Sequence, residues 1–383
     1  MRPITIQSIN LYPLHIPFLE PFITSFGEEP FKAGILVEIT TTEGLHGWGE
    51  SPVEVYPGYG AETVVTGLHI LEEFLAPNLT GVTIDHPTHV PALLAHVRGN
   101  AHAKSGLEAA IWDAYAKTNQ IRLADLFASC LPDGHASRDK AVVGVSIGIM
   151  PSIEKTLEIV RKRVGQGYAR IKLKIKPGWD IDLARAVRAE FPDIMLMLDA
   201  NSAYTLADAD HLAQLDDLNL LMIEQPLGHE DIYDHSQLQP RLHTPICLDE
   251  SIKNLNDLKL ALQVGAISIL NLKPGRVGGF TESLRIYQHC AENGVPLWIG
   301  GMLESGVGRA ANVAFASLPA VSLPCDISAT DRYFAEDISE PPFVLNPDST
   351  LNVPQGYGIG VQVIGSRVAE SVDRWTDASS FNG

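Results

Sequence analysis

The sequence predicts an α/β fold: a parallel barrel of eight strands and seven intervening helices, joined to a smaller α+β domain. Three observations predict it. Apolar runs of strand length recur between residues 142 and 325 and alternate with amphipathic helical patterns. Charged residues close successive runs at near-equal intervals: Asp199, Glu224 and Asp249 are spaced by 25 residues, Lys273 follows 24 later, and the pair Lys172 and Lys174 precedes them. A strand–helix repeat of about 25 residues is the size of one βα unit of a barrel. Finally, the first 130 or so residues place strands and helices in separate blocks, as α+β domains do.

The elements follow in order. Ile4, Ile6, Ile9 and Leu11 mark a first strand, and the runs 34–41 and 46–50 flank a Glu43-Gly44 turn, a hairpin signal. Leu107, Ala110, Ile111, Ala114 and Tyr115 fall on one helical face within 105–118. The Pro132-Asp133-Gly134 turn closes this domain, assigned to 1–133. The barrel is assigned to 134–325, with strands near 142–148, 169–174, 194–199, 219–224, 245–249, 267–272, 295–299 and 321–325. These strands are apolar on both faces, as parallel barrel strands are. Helices are expected at 152–165, 205–215 and 280–293, among others, and the eighth helix is expected to be lost or replaced. The tail, 326–383, carries a short apolar run at 358–364 and is expected to pack back on the first domain, with 373–383 frayed.

Bulk properties exclude several function classes. The 383 residues are 45% hydrophobic, enough for a large core. The net charge of −18, without a basic stripe, argues against nucleic acid or an anionic membrane surface as partner. No run of 18 apolar residues predicts a membrane span, and Met1–Ile6 has no signal-peptide core. Four scattered cysteines without a CxxC read as reduced thiols, so the chain is expected to be cytoplasmic.

The charged strand ends specify chemistry. Barrel active sites lie at the C-terminal ends of the strands, so these acids and lysines face one cavity. Asp199, Glu224 and Asp249 supply one carboxylate each from consecutive strands, an all-oxygen set suited to a hard cation such as Mg²⁺ and unlike a zinc site. Lys172 and Lys174 are two apart and point the same way from one strand; their mutual repulsion, with burial, is expected to lower the pKa of one toward that of a general base. Lys273 enters from the far side. A metal-held carboxylate, a lysine removing the proton α to it and electrostatic stabilisation of the enolate define the expected reaction class, on a small-molecule carboxylate substrate. The bland readings are snorkelling lysines and helix-capping acids; six such charges in register weigh against them.

These residues carry a resemblance. Lys-x-Lys, Asp, Glu, Asp, Lys in this order resembles the enolase superfamily, in its muconate-lactonizing-enzyme subgroup. The segments 172–180, Asp199-Ala200-Asn201, Asp249-Glu250-Ser251, 273–279 and 300–309 are similar to the o-succinylbenzoate synthase/N-succinylamino acid racemase family. The resemblance implies a modified (β/α)7β TIM-type barrel whose mouth is covered by the N-terminal capping domain, completed by the C-terminal segment. It implies Mg²⁺ on Asp199, Glu224 and Asp249, with Mn²⁺ able to take its place, and a homo-oligomer. In the synthase reaction, a syn dehydration toward menaquinone, Lys174 would take the α-proton and return it to the departing hydroxide, while Lys273 stays protonated. In N-acylamino acid racemisation the two lysines would exchange base and acid roles, and Lys172 would tune Lys174.

Further positions are candidates. Arg276 sets the position or pKa of Lys273, or makes a loop salt bridge; Asn201 points into the cavity; Glu304 faces substrate or makes a structural hydrogen bond. Gly300 and Gly301 offer N–H groups to an acyl carboxylate or amide, and Glu250 turns outward or supports the metal ligands from behind. Ser25-Phe26-Gly27 and Tyr56-Pro57-Gly58-Tyr59 are candidate lid segments, with Phe26 and Tyr56 as substrate contacts. Dipeptide epimerase and muconate cycloisomerase share the lysine pair and stay open. An epimerase commonly has Asp-x-Asp at strand eight, where this chain has Asp326-Ile327-Ser328. A non-catalytic scaffold is the remaining alternative.

Overall fold

The computed structural model describes residues 1–24, 27–132 and 136–380 of the 383, without the side chains of residues 379 and 380. Three antiparallel strands open the chain: β1 (Ile4–Ile23), β2 (Glu28–Thr41) and β3 (His46–Ser51), with the short β4 (Thr83–Ile84) on the free edge of β1. The β2–β3 connection is the expected turn; Gly44 takes φ +79°, and its N–H donates to the Thr41 carbonyl at 2.8 Å. The helix Ala101–Thr118 lies against this sheet. It is buried on nearly all sides because it is sandwiched between the sheet and the barrel. Gly49 lets the sheet approach it closely: a Cβ there would sit 2.1 Å from the Gly106 carbonyl oxygen.

After β5 (Lys140–Val142) the parallel sheet runs in sequence order, seven strands among the described residues. They are β6 (Val145–Ile147), β7 (Arg170–Lys174), β8 (Met195–Asp199), β9 (Ile223–Glu224), β10 (Ile246–Leu248), β11 (Ile269–Leu272) and β12 (Leu297–Ile299). The eighth expected strand, 321–325, is not regular. It closes the barrel through hydrogen bonds on both sides: Ser322 N to Leu297 O and Asp326 N to Ile299 O on one, Cys325 N to Val142 O and Gly144 N to Cys325 O on the other. Pro324 has no N–H to offer, which limits ladder formation there.

Two expected helices form as single elements, Ile153–Gly165 and Phe280–Asn293. The third does not. Residues 206–218 break into short helical turns, because Thr205 and Asp208 cap one turn and Asp216 is drawn to the Thr244 and His243 N–H groups. The tail adds β13 (Ser339–Glu340), β14 (Thr350–Asn352, paired with β5) and β15 (Gln362–Val363, paired with β13). It ends in a helix, Gly365–Ser380, so residues 373–380 are helical rather than frayed. This helix packs on β1, where Ser371 Oγ accepts the His15 N–H at 2.8 Å. Asp133 and Gly134 of the expected closing turn lie outside the described residues. Cys247, Cys290 and Cys325 are buried, and all four thiols are free. No helix among the described residues is long and apolar enough to cross a membrane.

Candidate active site

Parallel register puts the charged residues side by side at the barrel's C-terminal rim. Lys174 is paired with Asp199 across β7–β8, and Asp199 with Glu224 across β8–β9. Asp249 and Lys273 directly follow β10 and β11. All six predicted charges are buried: Lys172, Lys174, Asp199, Glu224, Asp249 and Lys273. Three strands separate β7 from β11, so Lys174 and Lys273 reach in from opposite sides. Both line one cavity of about 450 Å³ under the capping domain, together with Lys172, Asn201, Gly301 and Glu304.

Each acid is held by cations or amides. Lys174 Nζ donates to Asp199 Oδ2 at 2.7 Å and to Asn201 Oδ1 at 2.5 Å. Lys172 Nζ lies 3.0 Å from both Asp199 Oδ2 and Glu224 Oε2 and also contacts Asp326. Glu224 Oε1 accepts from Asn271 Nδ2 at 2.5 Å. Asp249 receives Lys273 Nζ at 2.9 Å and Tyr59 OH at 3.1 Å, and is paired with Arg276. Arg276 thus makes an ion pair, and its partner is the predicted metal ligand Asp249. It is buried, and it donates to the Ile252 and Asn271 carbonyls, to Asp249 and to Tyr59.

At Lys172 the surrounding carboxylates decide the electrostatics. Burial alone would push Lys172 down, but Asp326, Glu224 and Asp199 outweigh it and hold the ammonium above its ordinary value. Lys273 is also raised; burial is overcome by Tyr59, Glu224 and Glu250. The repulsion between neighbouring lysines is therefore not the governing effect at Lys172, where three carboxylates lie within ion-pair distance. Asp199 is held far below its usual range, burial being outweighed by Lys174 and Lys172. Glu224 is pushed up, by burial first and then by Asp199.

Other candidates divide. Asn201 meets Lys174, as above. Glu250 does not turn outward: it is buried, Asn201 Nδ2 donates to its Oε1 at 3.1 Å, and burial, then Asp199, push it up to about 7. Glu304 lines the cavity while its carboxylate accepts from Met302 N and Asn312 Nδ2, both at 2.9 Å. Gly300 N–H is spent on the Leu272 carbonyl, so it is not open to an acyl group. Gly301 lines the cavity; a Cβ there would sit 2.4 Å from the Asp326 carbonyl oxygen. Tyr56 is on the cavity wall but 74% exposed. Phe26 lies outside the described residues.

The sequence does not single out Asn271 or Arg170, and it marks Tyr59 only as part of a lid segment and Asp326 only as a strand-eight acid. Tyr59 OH stands 3.0 Å from Lys273 Nζ, and that ammonium lies 4.2 Å from the Tyr59 ring centroid, a cation–π contact supplied by the capping domain. Asp326 bridges Lys172 to Arg170, whose Nη2 is 2.5 Å from Asp326 Oδ1; burial notwithstanding, Arg170 and Lys172 hold this carboxylate down at about 2. The Tyr56–Tyr59 segment and the lone Asp of the last strand were the available signals.

The three predicted metal ligands share a rim but are not drawn into a cage. Among the described residues no group of three His, Cys, Asp or Glu side chains converges closely enough to hold a metal ion. The donor chemistry nevertheless fits a hard divalent cation: three buried carboxylates, no nitrogen or sulfur donor among them, and a further buried oxygen, Glu250 Oε2, without a hydrogen-bond partner in the described structure.

Comparison with known proteins agrees with this architecture. Residues 9–128 match the family described as mandelate racemase/muconate lactonizing enzyme, N-terminal domain, and residues 155–366 match enolase C-terminal domain-like. The chain is 47% identical to an o-succinylbenzoate synthase of Geobacillus kaustophilus, over 94% of both chains. It is 43% identical to an N-succinylamino acid racemase of Amycolatopsis sp, over 99% of both. A crystal structure of an enolase superfamily member from Listeria innocua superposes with TM-score 0.91 at 42% identity, covering 96% of this chain and 97% of that one.

Proposed function

This chain belongs to the enolase superfamily, in its mandelate racemase/muconate lactonizing enzyme group and its o-succinylbenzoate synthase/N-succinylamino acid racemase family, and from that premise we propose that it is a divalent-metal-dependent o-succinylbenzoate synthase. One observation carries the reading: Lys174 and Lys273 face each other across one cavity, with Asp199, Glu224 and Asp249 along the rim between them. An α-proton beside a carboxylate is too weak an acid for an unassisted lysine, so the site has to stabilise the enolate electrostatically.

Asp199, Glu224 and Asp249 would hold Mg²⁺, which when bound supplies charge for the substrate carboxylate and the enolate that follows from it. Lys174 removes the α-proton of 2-succinyl-6-hydroxy-2,4-cyclohexadiene-1-carboxylate. The same ammonium returns the proton to the hydroxyl leaving from that face, so water departs and the ring becomes aromatic. Lys273 stays protonated opposite and stabilises the enolate. Asn201 orients Lys174, and Arg276 with Tyr59 orients Lys273.

N-succinylamino acid racemisation is the second reading. It is favoured by the same lysine pair, since a base on either face of one carbon is what racemisation needs, and by 43% identity to a racemase over nearly the full chain. Dehydration of the cyclohexadiene acid and racemisation of N-succinyl-L-phenylalanine, assayed with Mg²⁺ and with EDTA, test both readings. Metal-dependent dehydration supports the synthase; racemisation alone makes the second reading the correct one; turnover of neither refutes both.

A further inference from the structure

Tyr59 stands in a thin partition. Residues 55–63 leave the end of the capping sheet as a loop and return, closed by the Val64 N–H donating to the Glu54 carbonyl at 2.9 Å. Its tip, Gly58 and Tyr59, lines the active-site cavity on one side and a cleft of about 850 Å³ on the other. With space on both sides, the tip takes its position from its tethers more than from packing.

Glu62, on the returning arm, is one such tether. Its Oε1 accepts the His102 N–H at 2.9 Å and lies 3.1 Å from His102 Nδ1, and its Oε2 accepts the Ala103 N–H at 2.9 Å. These N–H groups open the 18-residue helix Ala101–Thr118, whose own N-cap residue, Asn100, is left-handed at φ 54° and makes no side-chain cap bond. A carboxylate there meets otherwise unpaired helix N–H groups and the positive end of the helix dipole. Burial would raise this carboxyl, but the donors from His102 and Ala103 outweigh it and hold it below the ordinary range, so it stays charged.

His102 carries the tether to the barrel. It is buried, and its Nε2 has no hydrogen-bond partner among the described residues, so the contact of Nδ1 with Glu62 sets the rotation of the ring. The ring stands between two glycines: a Cβ at Gly60 would sit 3.2 Å from its Cε1, and a Cβ at Gly275 3.7 Å from its Cδ2. Gly60 adjoins Tyr59, and Gly275 lies between Lys273 and Arg276. The loop tip is thus held against the segment that bears Lys273, where the Tyr59 hydroxyl reaches Lys273 Nζ at 3.0 Å and Arg276 Nη1 at 3.1 Å.

We infer that Glu62 is a positioning residue for Lys273, acting through His102 and Tyr59. It touches no reacting atom. The inference rests on the two-lysine chemistry proposed above and divides it: this loop serves the Lys273 face of the substrate carbon and not the Lys174 face.

The test is α-proton exchange in deuterated buffer with Mg²⁺, followed by proton NMR, on each enantiomer of N-succinylphenylalanine. The enantiomer whose exchange is lost in Lys273→Ala identifies the Lys273 face. Glu62→Ala should slow exchange on that face about fivefold relative to the Lys174 face, the scale of a small misplacement of a catalytic group. Glu62→Gln, which keeps the volume and weakens the charge-assisted bonds, should shift the ratio the same way by about twofold, and it serves if the alanine variant does not fold. The ratio is internal to each protein, so a loss of folded enzyme does not mimic it. Ser152→Ala, which removes a cap from the barrel helix Ile153–Gly165, should leave the ratio unchanged. In a Tyr59→Ala background, Glu62→Ala should add no further change, because the two act in series. An unchanged ratio in the Glu62 variants, equal slowing of both faces, or an independent effect in the Tyr59→Ala background would each overturn the inference while leaving the lysine chemistry intact. Exchange of neither enantiomer by the wild type would remove that chemistry and the inference together.

Discussion

The floor and the roof of the cavity are built by different rules. The floor is made of strand ends in a parallel barrel, where register fixes which side chains stand together: Lys174 beside Asp199, Asp199 beside Glu224. The roof is made of the start of β2 and the loop after β3, where Glu29, Glu54 and Tyr59 owe their positions to how the capping domain sits on the barrel. The difference teaches where each property is stored. On the proposed reading proton transfer belongs to the rigid floor, and the roof closes over the substrate, the usual division where loops on a fixed scaffold set specificity. Tyr59 joins the two, because its hydroxyl reaches Lys273, Arg276 and Asp249 together.

The sharpest way to break this division is to remove floor charges. Lys174→Ala and Lys273→Ala should each lower kcat for dehydration by about 10³-fold, the scale of a lost general acid or base or charge stabiliser, with the circular dichroism spectrum unchanged. An effect below tenfold would place the chemistry elsewhere. Asp326→Asn should act mainly on stability. It leaves Arg170 and Lys172 buried without their shared carboxylate, a loss of about 3–5 kcal/mol measurable by urea unfolding.

The junction between cap and barrel can be probed away from the lysines. Glu108, on the helix Ala101–Thr118, is buried and accepts the Thr281 N–H at 3.1 Å; burial pushes its pKa up to about 7. Its folded-state pKa lies above its unfolded value of 4.5, so the folded chain binds this proton more tightly. The stability it contributes is present below that value and lost as pH rises through about 7, some ~3 kcal/mol in all. Glu108→Gln should flatten the decline in Tm between pH 5 and pH 8. The smallest effect is expected at the link between the two walls. Tyr59→Phe keeps the ring under Lys273 but removes the hydroxyl, and kcat should fall by about tenfold with Tm shifted little.

Legibility from sequence follows the same division. The floor could be read because strands ending in charge at a fixed interval have a single meaning in a parallel barrel. Asp326 escaped because its partner Lys172 lies 154 residues away, and nothing local marks their meeting. For Glu250 the sequence leaves two directions open: alternation along a strand would turn it outward, but β10 ends at Leu248, and past a strand end that rule lapses. The broken helix at 206–218 shows aspartates competing locally with an apolar pattern that is itself helical. The helical tail was missed because its order comes from β1, more than 340 residues earlier in the chain.

The central claim is that Lys174 and Lys273 address opposite faces of one substrate carbon. Solvent-deuterium exchange into each enantiomer of an N-succinylamino acid, measured for wild type, Lys174→Ala and Lys273→Ala, tests it most directly. The account predicts exchange of both enantiomers by the wild type and of a single, opposite enantiomer by each variant. Exchange of both enantiomers by either variant, or of neither by the wild type, would contradict it.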